Sequence, residues 1–133
     1  MNAKSAFELY KSTQTSTSLD DASPHRLVTM MLDGALEKIA VAMGAMERGE
    51  PALTGESISK AISIVDNLRV ALDHETGGTI AGNLSDLYDY ILRRLLEANV
   101  MSDASLLTEV SGLLTEIKVA WDQVPVDLHH ASG

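Results

Sequence analysis

Apolar residues recur at helical spacing through most of the chain, and one predicted helix carries them on a wide arc. Between residues 83 and 99, a first stripe contains Leu84, Leu87, Ile91, Leu95 and Ala98. A second stripe, at positions i, i+4 and i+8, contains Tyr88, Leu92 and Leu96. Together the stripes cover nearly half of the helix surface, whereas a helix packed on its own fold needs an apolar arc of about 100°. Either this helix is central in a bundle, or one stripe serves a partner.

The first two predicted helices are delimited by capping and turn-forming residues. Helix 1 covers residues 24–48, because Ser23 is a favourable N-cap followed by proline at the first helical position. It ends at Gly49. Helix 2 begins at Pro51, and the pair Gly77-Gly78 predicts its end.

Two further helical patterns follow. Helix 3 is predicted from about Thr79 to Met101, and helix 4, capped by Ser102 or Asp103, ends near Pro125. No alternating strand pattern is present, and the connections are short. The predicted fold class is therefore all-α, an antiparallel four-helix bundle.

The two ends of the chain differ from this bundle in composition. Residues 1–22 combine an amphipathic segment, with Phe7 and Tyr10 on one helical face, and a polar Ser/Thr-rich run that predicts a flexible linker. Residues 23–125 form the predicted bundle. Residues 126–133 have no pattern and are predicted to be a disordered tail.

The excess apolar surface of helix 3 recurs on the other helices. Each has a predicted core stripe and an apolar flank beside it, which either faces a second bundle neighbour or binds a partner. On helix 4 the predicted core stripe contains Leu106, Val110, Leu113, Ile117 and Val124. The candidate partner-binding residues are Phe7, Tyr10, Leu27, Met30, Gly34, Val41, Ile64, Leu68, Ala71, Tyr88, Leu92, Leu96, Leu107 and Leu114.

The amino-acid composition excludes or disfavours several classes of function. The chain has 133 residues, no cysteine and a net charge of −9. Disulfides and thiolate chemistry are excluded, and the acidic balance disfavours nucleic acid, which requires clustered Lys and Arg. No apolar run has the length of a signal peptide or a membrane span, so we expect a soluble, intracellular protein. Six Met residues are many for this length, and Met suits both irregular cores and adaptable binding surfaces.

The sequence lacks the patterns of an enzyme. No Glu-x-x-His pair, His-Glu-x-x-His run or glycine-rich phosphate loop is present, so we expect no catalytic residues, metal or cofactor. A His-containing phosphotransfer bundle is the alternative, since its fold class matches. It needs an exposed histidine in the middle of a helix, and both predicted helical histidines, His25 and His74, are near helix ends.

Several motifs resemble one protein family. Ser23-Pro24-His25-Arg26-Leu27, followed by Met31-Leu32-Asp33-Gly34-Ala35, resembles the Ser-Pro-His-x-Leu and Leu-Tyr/Phe-Asp-Gly-Ala signature of the flagellin export chaperones of the FliS family. Residues 77–99 are similar to the family nearly throughout, and Tyr10-Lys11 and Trp121 fall where the family carries them. The resemblance spans about residues 7–124. Leu32 departs from it, because the family usually has an aromatic residue there.

The resemblance implies a cytoplasmic chaperone that holds the disordered C-terminal segment of flagellin in surface apolar grooves. It implies that the chaperone prevents premature polymerisation and presents flagellin to components of the flagellar type III export apparatus. No catalysis, nucleotide, nucleic acid or membrane insertion is implied. A monomer or a weak dimer is expected.

Overall fold

The computed structural model describes residues 23–72 and 74–123, and within these it describes no side chains for residues 74–81. It contains four helices: α1, Pro24–Glu47; α2, Pro51–Val70; α3, His74–Met101; and α4, Ala104–Asp122. Each helix contacts the next along the chain, and α4 closes the ring by contacting α1. The predicted all-α, antiparallel four-helix bundle is therefore confirmed. The proposed segments 1–22 and 126–133 lie outside the described residues.

Helix α1 begins and ends as its sequence predicts. The Ser23 hydroxyl accepts a hydrogen bond from the Arg26 backbone N–H at 3.1 Å, and Pro24 occupies the first turn. At the other end, Gly49 has a φ of +69°, the left-handed conformation that glycine adopts at low cost. The Glu50 N–H then bonds to the Ala45 carbonyl at 2.9 Å, which completes a Schellman cap and turns the chain into α2.

The predicted boundary between the second and third helices is wrong. Helix α2 ends at Val70, and α3 already begins at His74, so Gly77-Gly78 lies inside a helix and does not stop one. His74 accordingly opens α3 and does not close α2. Glycine costs about 1 kcal/mol in a helix interior, which is a weak preference that tertiary context overrides. Helix α4 ends at Asp122, a few residues before the predicted end near Pro125.

The core is a single apolar cluster to which all four helices contribute. Its members are Met31, Leu32, Ala35, Ile39, Ala42, Ile58, Ala61, Val65, Leu68, Tyr88, Ile91, Leu95, Ala98, Leu107, Val110, Leu114 and Ile117. Two of the α1 members, Ala35 and Ala42, are alanines, which allow the neighbouring helix to approach closely. Most of the predicted core stripes of α1, α2 and α3 belong to this cluster.

The core face of α4 differs from the predicted one. Leu107 and Leu114 are buried, whereas Leu106 and Leu113, predicted as core, are only partly buried. Either leucine pair can combine with Val110 and Ile117 into an apolar stripe, so spacing alone does not decide the rotation of the helix.

Polar links join α4 to both of its neighbouring helices. Glu109 accepts a hydrogen bond from Tyr90 of α3 at 2.6 Å, and on the opposite side Lys118 Nζ lies 2.6 Å from Asp33 Oδ1 of α1. At 100° per residue, the arc between the two links holds Leu106 and Leu113 as well as Leu107 and Leu114, so the choice between the two pairs depends on the packing of the whole interior.

Candidate functional site

The first candidate surface lies along the seam between α1 and α2. Leu27, Gly34 and Val41 follow one another at intervals of seven on α1, on the side away from the α4-facing Asp33. Ile64 and Ala71, also seven apart, lie on the side of α2 away from α3. Val41 is 38% exposed and the other four are half-buried. The structure therefore brings these five predicted residues to one seam, which we call the α1–α2 flank.

The second candidate surface borders the seam between α2 and α3. Leu92 is half-buried there, and Leu96 is 56% exposed. Val100, one turn further along α3, is 83% exposed and was missed by sequence reasoning. The sequence contains the signal for it, because Val100 lies four residues after Leu96 and so extends the stripe of Leu92 and Leu96. We call Leu92, Leu96 and Val100 the α2–α3 flank.

Small and charged residues share the outer face of α2, which separates these two flanks. Ala52, Ser59 and Ser63 are all exposed. Gly55 faces α3, where an added Cβ would be 3.8 Å from Asn99 Oδ1, an ordinary contact. Glu56 and Lys60 also lie on this face and form an exposed ion pair at 2.9 Å, so the face is polar, with apolar residues on both sides of it.

Five of the predicted partner-binding residues are not on an exposed flank. Leu68, Tyr88, Leu107 and Leu114 are buried members of the core cluster, so their placement on a flank is wrong. On α2, α3 and α4 the predicted boundary between core and flank lies at the wrong side chain. Each helix packs against two neighbours and therefore buries a wider arc than the predicted core stripe. Burial also raises the pKa of the Tyr88 hydroxyl, since it disfavours the phenolate.

Met30 is buried for a different reason. It is 9% exposed but does not belong to the core cluster. It lies two positions from Leu32, about 200° around the helix, so packing against the bundle interior does not account for its burial. The last two predicted residues, Phe7 and Tyr10, lie outside the described residues.

A hydrogen-bonded cluster around Arg94 links α3 to α4 and was not predicted from the sequence. Arg94 Nε donates to the Tyr90 hydroxyl at 2.9 Å and lies 3.2 Å from Glu109 Oε1, while Arg94 also pairs with Glu97. The hydrogen bond with Tyr90 raises the pKa of Arg94. Arg93, its neighbour in the sequence, is exposed and has no ion pair with another described residue. In the only basic pair of the sequence, Arg94 therefore links two helices, whereas Arg93 is solvated.

Arg69 links α2 to α3 in a similar way. Its guanidinium lies 2.6 Å from Asp66 Oδ1 on α2 and 3.3 Å from Asp89 Oδ1 on α3. The hydrogen bond with Asp66 raises the pKa of Arg69. Such half-exposed ion pairs each contribute about 0–1 kcal/mol to stability. Their main effect is therefore on the alignment of one helix along the other.

The first turn of α1 and the last turn of α4 are joined by an aromatic clasp. The rings of His25 and Trp121 stack with their centroids 5.0 Å apart and their planes 14° from parallel. His25 Nε2 lies 3.2 Å from the Trp121 carbonyl, and Trp121 Nε1 donates to the His25 carbonyl at 3.1 Å. Because a carbonyl only accepts, Nε2 of His25 carries the hydrogen.

This clasp gives His25 a structural role and disfavours the phosphotransfer alternative. A phosphoacceptor nitrogen must be free and exposed, whereas Nε2 of His25 is committed to a carbonyl and the ring is covered by an indole. Among the described side chains, no group of three or more His, Asp or Glu residues is placed to hold a metal ion. None of the described helices combines the length and hydropathy needed to cross a bilayer.

Comparison with known proteins agrees with the bundle and its motifs. Residues 6–127 match the family model described as flagellar protein FliS. The chain is 48% identical over 124 residues to the flagellar secretion chaperone FliSB of Pseudomonas aeruginosa, covering 93% of this chain and 98% of the relative. It is 45% identical over 125 residues to the flagellar secretion chaperone FliS of Salmonella typhimurium, covering 93% of each chain. The chain therefore belongs to the FliS family, which is a family of flagellar secretion chaperones and not of enzymes.

Proposed function

We propose that this chain is a cytoplasmic export chaperone for flagellin. It binds the disordered C-terminal segment of flagellin, prevents premature polymerisation, and delivers the subunit to components of the flagellar type III export apparatus. Family membership supports the chaperone role. The observation that carries the mode of binding is the apolar surface left on both sides of α2 by the α1–α2 and α2–α3 flanks.

These two flanks suit a client that wraps around α2. Client segments fold into amphipathic helices, place their apolar faces against each flank, and cross between them over the polar outer face of α2. A disordered client can contact both flanks at once, but it loses conformational entropy on binding, which keeps affinity modest for the area covered. Release for secretion then requires no hydrolysis by this protein.

The proposal is tested by titrating purified protein with flagellin in an isothermal calorimeter, without nucleotide and in the presence of chelator. We expect saturable binding at a fixed stoichiometry. Flagellin that lacks its C-terminal segment is the matched control and should give no heat of binding. A requirement for nucleotide or metal, or equal binding of the truncated flagellin, would contradict the proposal.

Substitution of an exposed flank residue should weaken client binding without unfolding the bundle. Val41→Asp tests the α1–α2 flank and Leu96→Asp the α2–α3 flank. Each loses an aliphatic contact of about 1.5–3 kcal/mol and sets a carboxylate against the client, so we expect at least a tenfold rise in Kd. Ile64 and Leu92 are poorer sites for this test, because both pack partly against the core.

The matched control is Val119→Asp on the outer face of α4, where Val119 is 52% exposed and lies on neither flank. All three variants should keep the helicity and melting temperature of the unsubstituted protein, measured by circular dichroism. If Val119→Asp weakens client binding as much as the flank variants do, the client is not confined to the surfaces beside α2.

The N-terminal segment is a further part of this proposal. Phe7 and Tyr10 cover part of the α1–α2 flank in the empty chaperone and move when the client binds. The burial of Met30, which the core does not explain, supports an additional contact on this side of α1. A segment this short is marginal as an isolated helix, so its apolar face needs a docking surface.

Hydrogen exchange tests the role of this segment. We expect residues 5–11 to be weakly protected in the free protein, and we expect their protection to change when the flagellin C-terminal segment is added. Strong protection that is identical in both states would mean that the segment is a fixed part of the structure. Residues 58–65, within α2, provide the internal reference, because they include core positions in both states.

A further inference from the structure

A lysine interrupts the apolar α1–α2 flank. Lys38 follows Gly34 by four residues and precedes Val41 by three, so the three residues share one face of α1. Lys38 is half-buried, although lysine is seldom buried unless its charge is paired. It forms no ion pair with another described residue. The flank therefore contains a cation whose charge is not balanced by a direct contact.

The carboxylate that Lys38 approaches on α2 is already paired. Lys38 lies eleven residues before Gly49 and Lys60 eleven residues after it, so the two lysines are at the same height of the α1–α2 hairpin. Glu56 Oε1 lies 2.9 Å from Lys60 Nζ. The pKa of Glu56 is lowered first by its hydrogen bond with Lys60, then by the charge of Lys60, and last by the charge of Lys38. Two ammonium groups thus share one carboxylate, and Lys38 has the weaker share.

We propose that Lys38 determines which segments the α1–α2 flank accepts, by pairing with a carboxylate in the apolar face of the bound client helix. This inference rests on the proposed function, because it assigns a recognition residue within a surface proposed for client binding. The client carboxylate lies over Lys38, between an apolar contact near Val41 and another near Gly34 and Ile64.

A bound client changes the environment of this lysine. In the empty chaperone, the ammonium group reaches water while the methylene stem packs along the seam. A client helix laid over the flank removes that water, and a charge that loses hydration without gaining a partner opposes binding. A client carboxylate replaces the lost water with a charge-assisted hydrogen bond. An amphipathic helix without this carboxylate is disfavoured, so Lys38 selects by exclusion as well as by attraction.

The spacing of the flank indicates where the client carboxylate must lie. Gly34 and Ile64, each fifteen residues from Gly49, form a level of the seam that is four residues from Lys38, or about 6 Å along the helix. Val41 lies three residues from Lys38 in the other direction. A client helix that follows the seam therefore needs the pattern apolar-x-x-x-acidic-x-x-apolar, or its reverse when it runs in the opposite direction.

The chain's own N-terminal segment lacks this pattern. The only acidic residue among residues 1–11 is Glu8. The residues three and four positions away from it are all polar or charged: Lys4, Ser5, Lys11 and Ser12. A client that carries the pattern therefore makes a contact with Lys38 that the N-terminal segment cannot make. This difference favours displacement of the segment by the client.

Isothermal titration of the full chain with the flagellin C-terminal segment tests the role of Lys38. Lys38→Met keeps the length of the side chain and removes its charge, so we expect Kd to rise about fivefold or more. Lys38→Glu opposes like charges and should raise Kd about fiftyfold or more, whereas Lys38→Arg should stay within about threefold of the original. The matched control is Arg26→Met, which removes the same charge from an exposed position of α1 outside the flank and should leave Kd unchanged.

The salt dependence of Kd separates ion pairing from packing of the methylene stem. The Kd of the unsubstituted protein should rise with added salt, and this rise should be clearly smaller for Lys38→Met. If the stem alone matters, Lys38→Met binds the segment with the original Kd and the original salt dependence. That result would overturn the inference.

Substitutions in the client identify the carboxylate. Each Asp and Glu of the flagellin C-terminal segment is changed in turn to Asn or Gln. We expect one change to weaken binding to the unsubstituted chaperone about fivefold or more and to have no effect on binding to Lys38→Met. Changing the same client residue to Lys should restore binding to Lys38→Glu. If no acidic client residue is coupled to Lys38, or if the coupled residue lacks apolar residues at the predicted spacing, the inference is wrong.

Failure of this inference can be distinguished from failure of the proposed function. An unsubstituted protein that does not bind the flagellin C-terminal segment contradicts the proposed function itself. A protein that binds the segment equally well with and without the Lys38 charge keeps that function, and only the selective role of Lys38 is lost. Lys38 is not a member of the core cluster, so the variants should keep their helicity in circular dichroism. If Lys38→Glu does not, Lys38→Met and the client substitutions decide the outcome.

Discussion

Replacing Leu114 by Ala should lower the free energy of unfolding by about 2–5 kcal/mol, because the truncation leaves a cavity in a close-packed interior. Leu114 is fully buried among residues from all four helices. A domain of this size has a total stability of about 5–15 kcal/mol, so the variant loses a large share of it. Urea unfolding followed by circular dichroism measures the change.

Leu113→Ala is the matched control for this prediction. The same atoms are removed from the neighbouring position, but Leu113 is only partly buried, so the cost should be clearly smaller. A larger effect at residue 113 than at 114 would mean that α4 is rotated by about one residue, with the face predicted from the sequence turned into the core.

Separating the two rings of the clasp should also destabilise the bundle. Trp121→Ala removes the stack and the Nε1 hydrogen bond, and we expect a loss on the order of 2 kcal/mol, below the about 3–5 kcal/mol of a fully buried Trp. His25→Ala removes the stack and the Nε2 hydrogen bond but keeps the backbone carbonyl that accepts from Trp121. Its cost should therefore be smaller, about 1 kcal/mol.

A double-mutant cycle separates the contribution of the clasp from other effects of the two substitutions. Combining His25→Ala with Trp121→Ala should cost less than the sum of the single changes, by about 0.5–1.5 kcal/mol, because the stack can be lost only once. Urea unfolding of all four proteins provides the measurement. Additive losses would show that the two rings do not stabilise each other. His25→Phe, which can still stack, should recover part of the coupling.

The fold was predictable from the sequence where local chemistry decides it. Ser23 with Pro24 starts a helix, and Gly49 stops one, because each satisfies a requirement of the backbone at that position. Gly77-Gly78 was misinterpreted as a stop since glycine only lowers helix stability there and does not force the chain to turn. The chain turns between Val70 and His74, where the sequence carries neither glycine nor proline.

The candidate site was predictable in outline, and its errors have one cause. Spacing along a helix locates an apolar arc, but it does not say where the core ends and the surface begins. Tyr88 and Leu96 belong to one predicted stripe, yet the first is buried and the second exposed. The division depends on how the helices pack against one another, which the spacing along one helix does not contain. The extension of the stripe to Val100 needed no such information and could have been predicted.

The clasp also makes the fluorescence of Trp121 sensitive to changes where α1 begins and α4 ends. Trp121 is the only tryptophan in the chain, so selectively excited indole fluorescence arises from one place, against the imidazole ring of His25. In the sequence, residues 1–22 end three positions before His25, and residues 124–133 begin three positions after Trp121. Docking, displacement or proteolytic removal of either terminus that alters this ring pair therefore changes the emission of the unlabelled protein. A rearrangement that separates or shifts the two rings can thus be followed in real time without an attached dye.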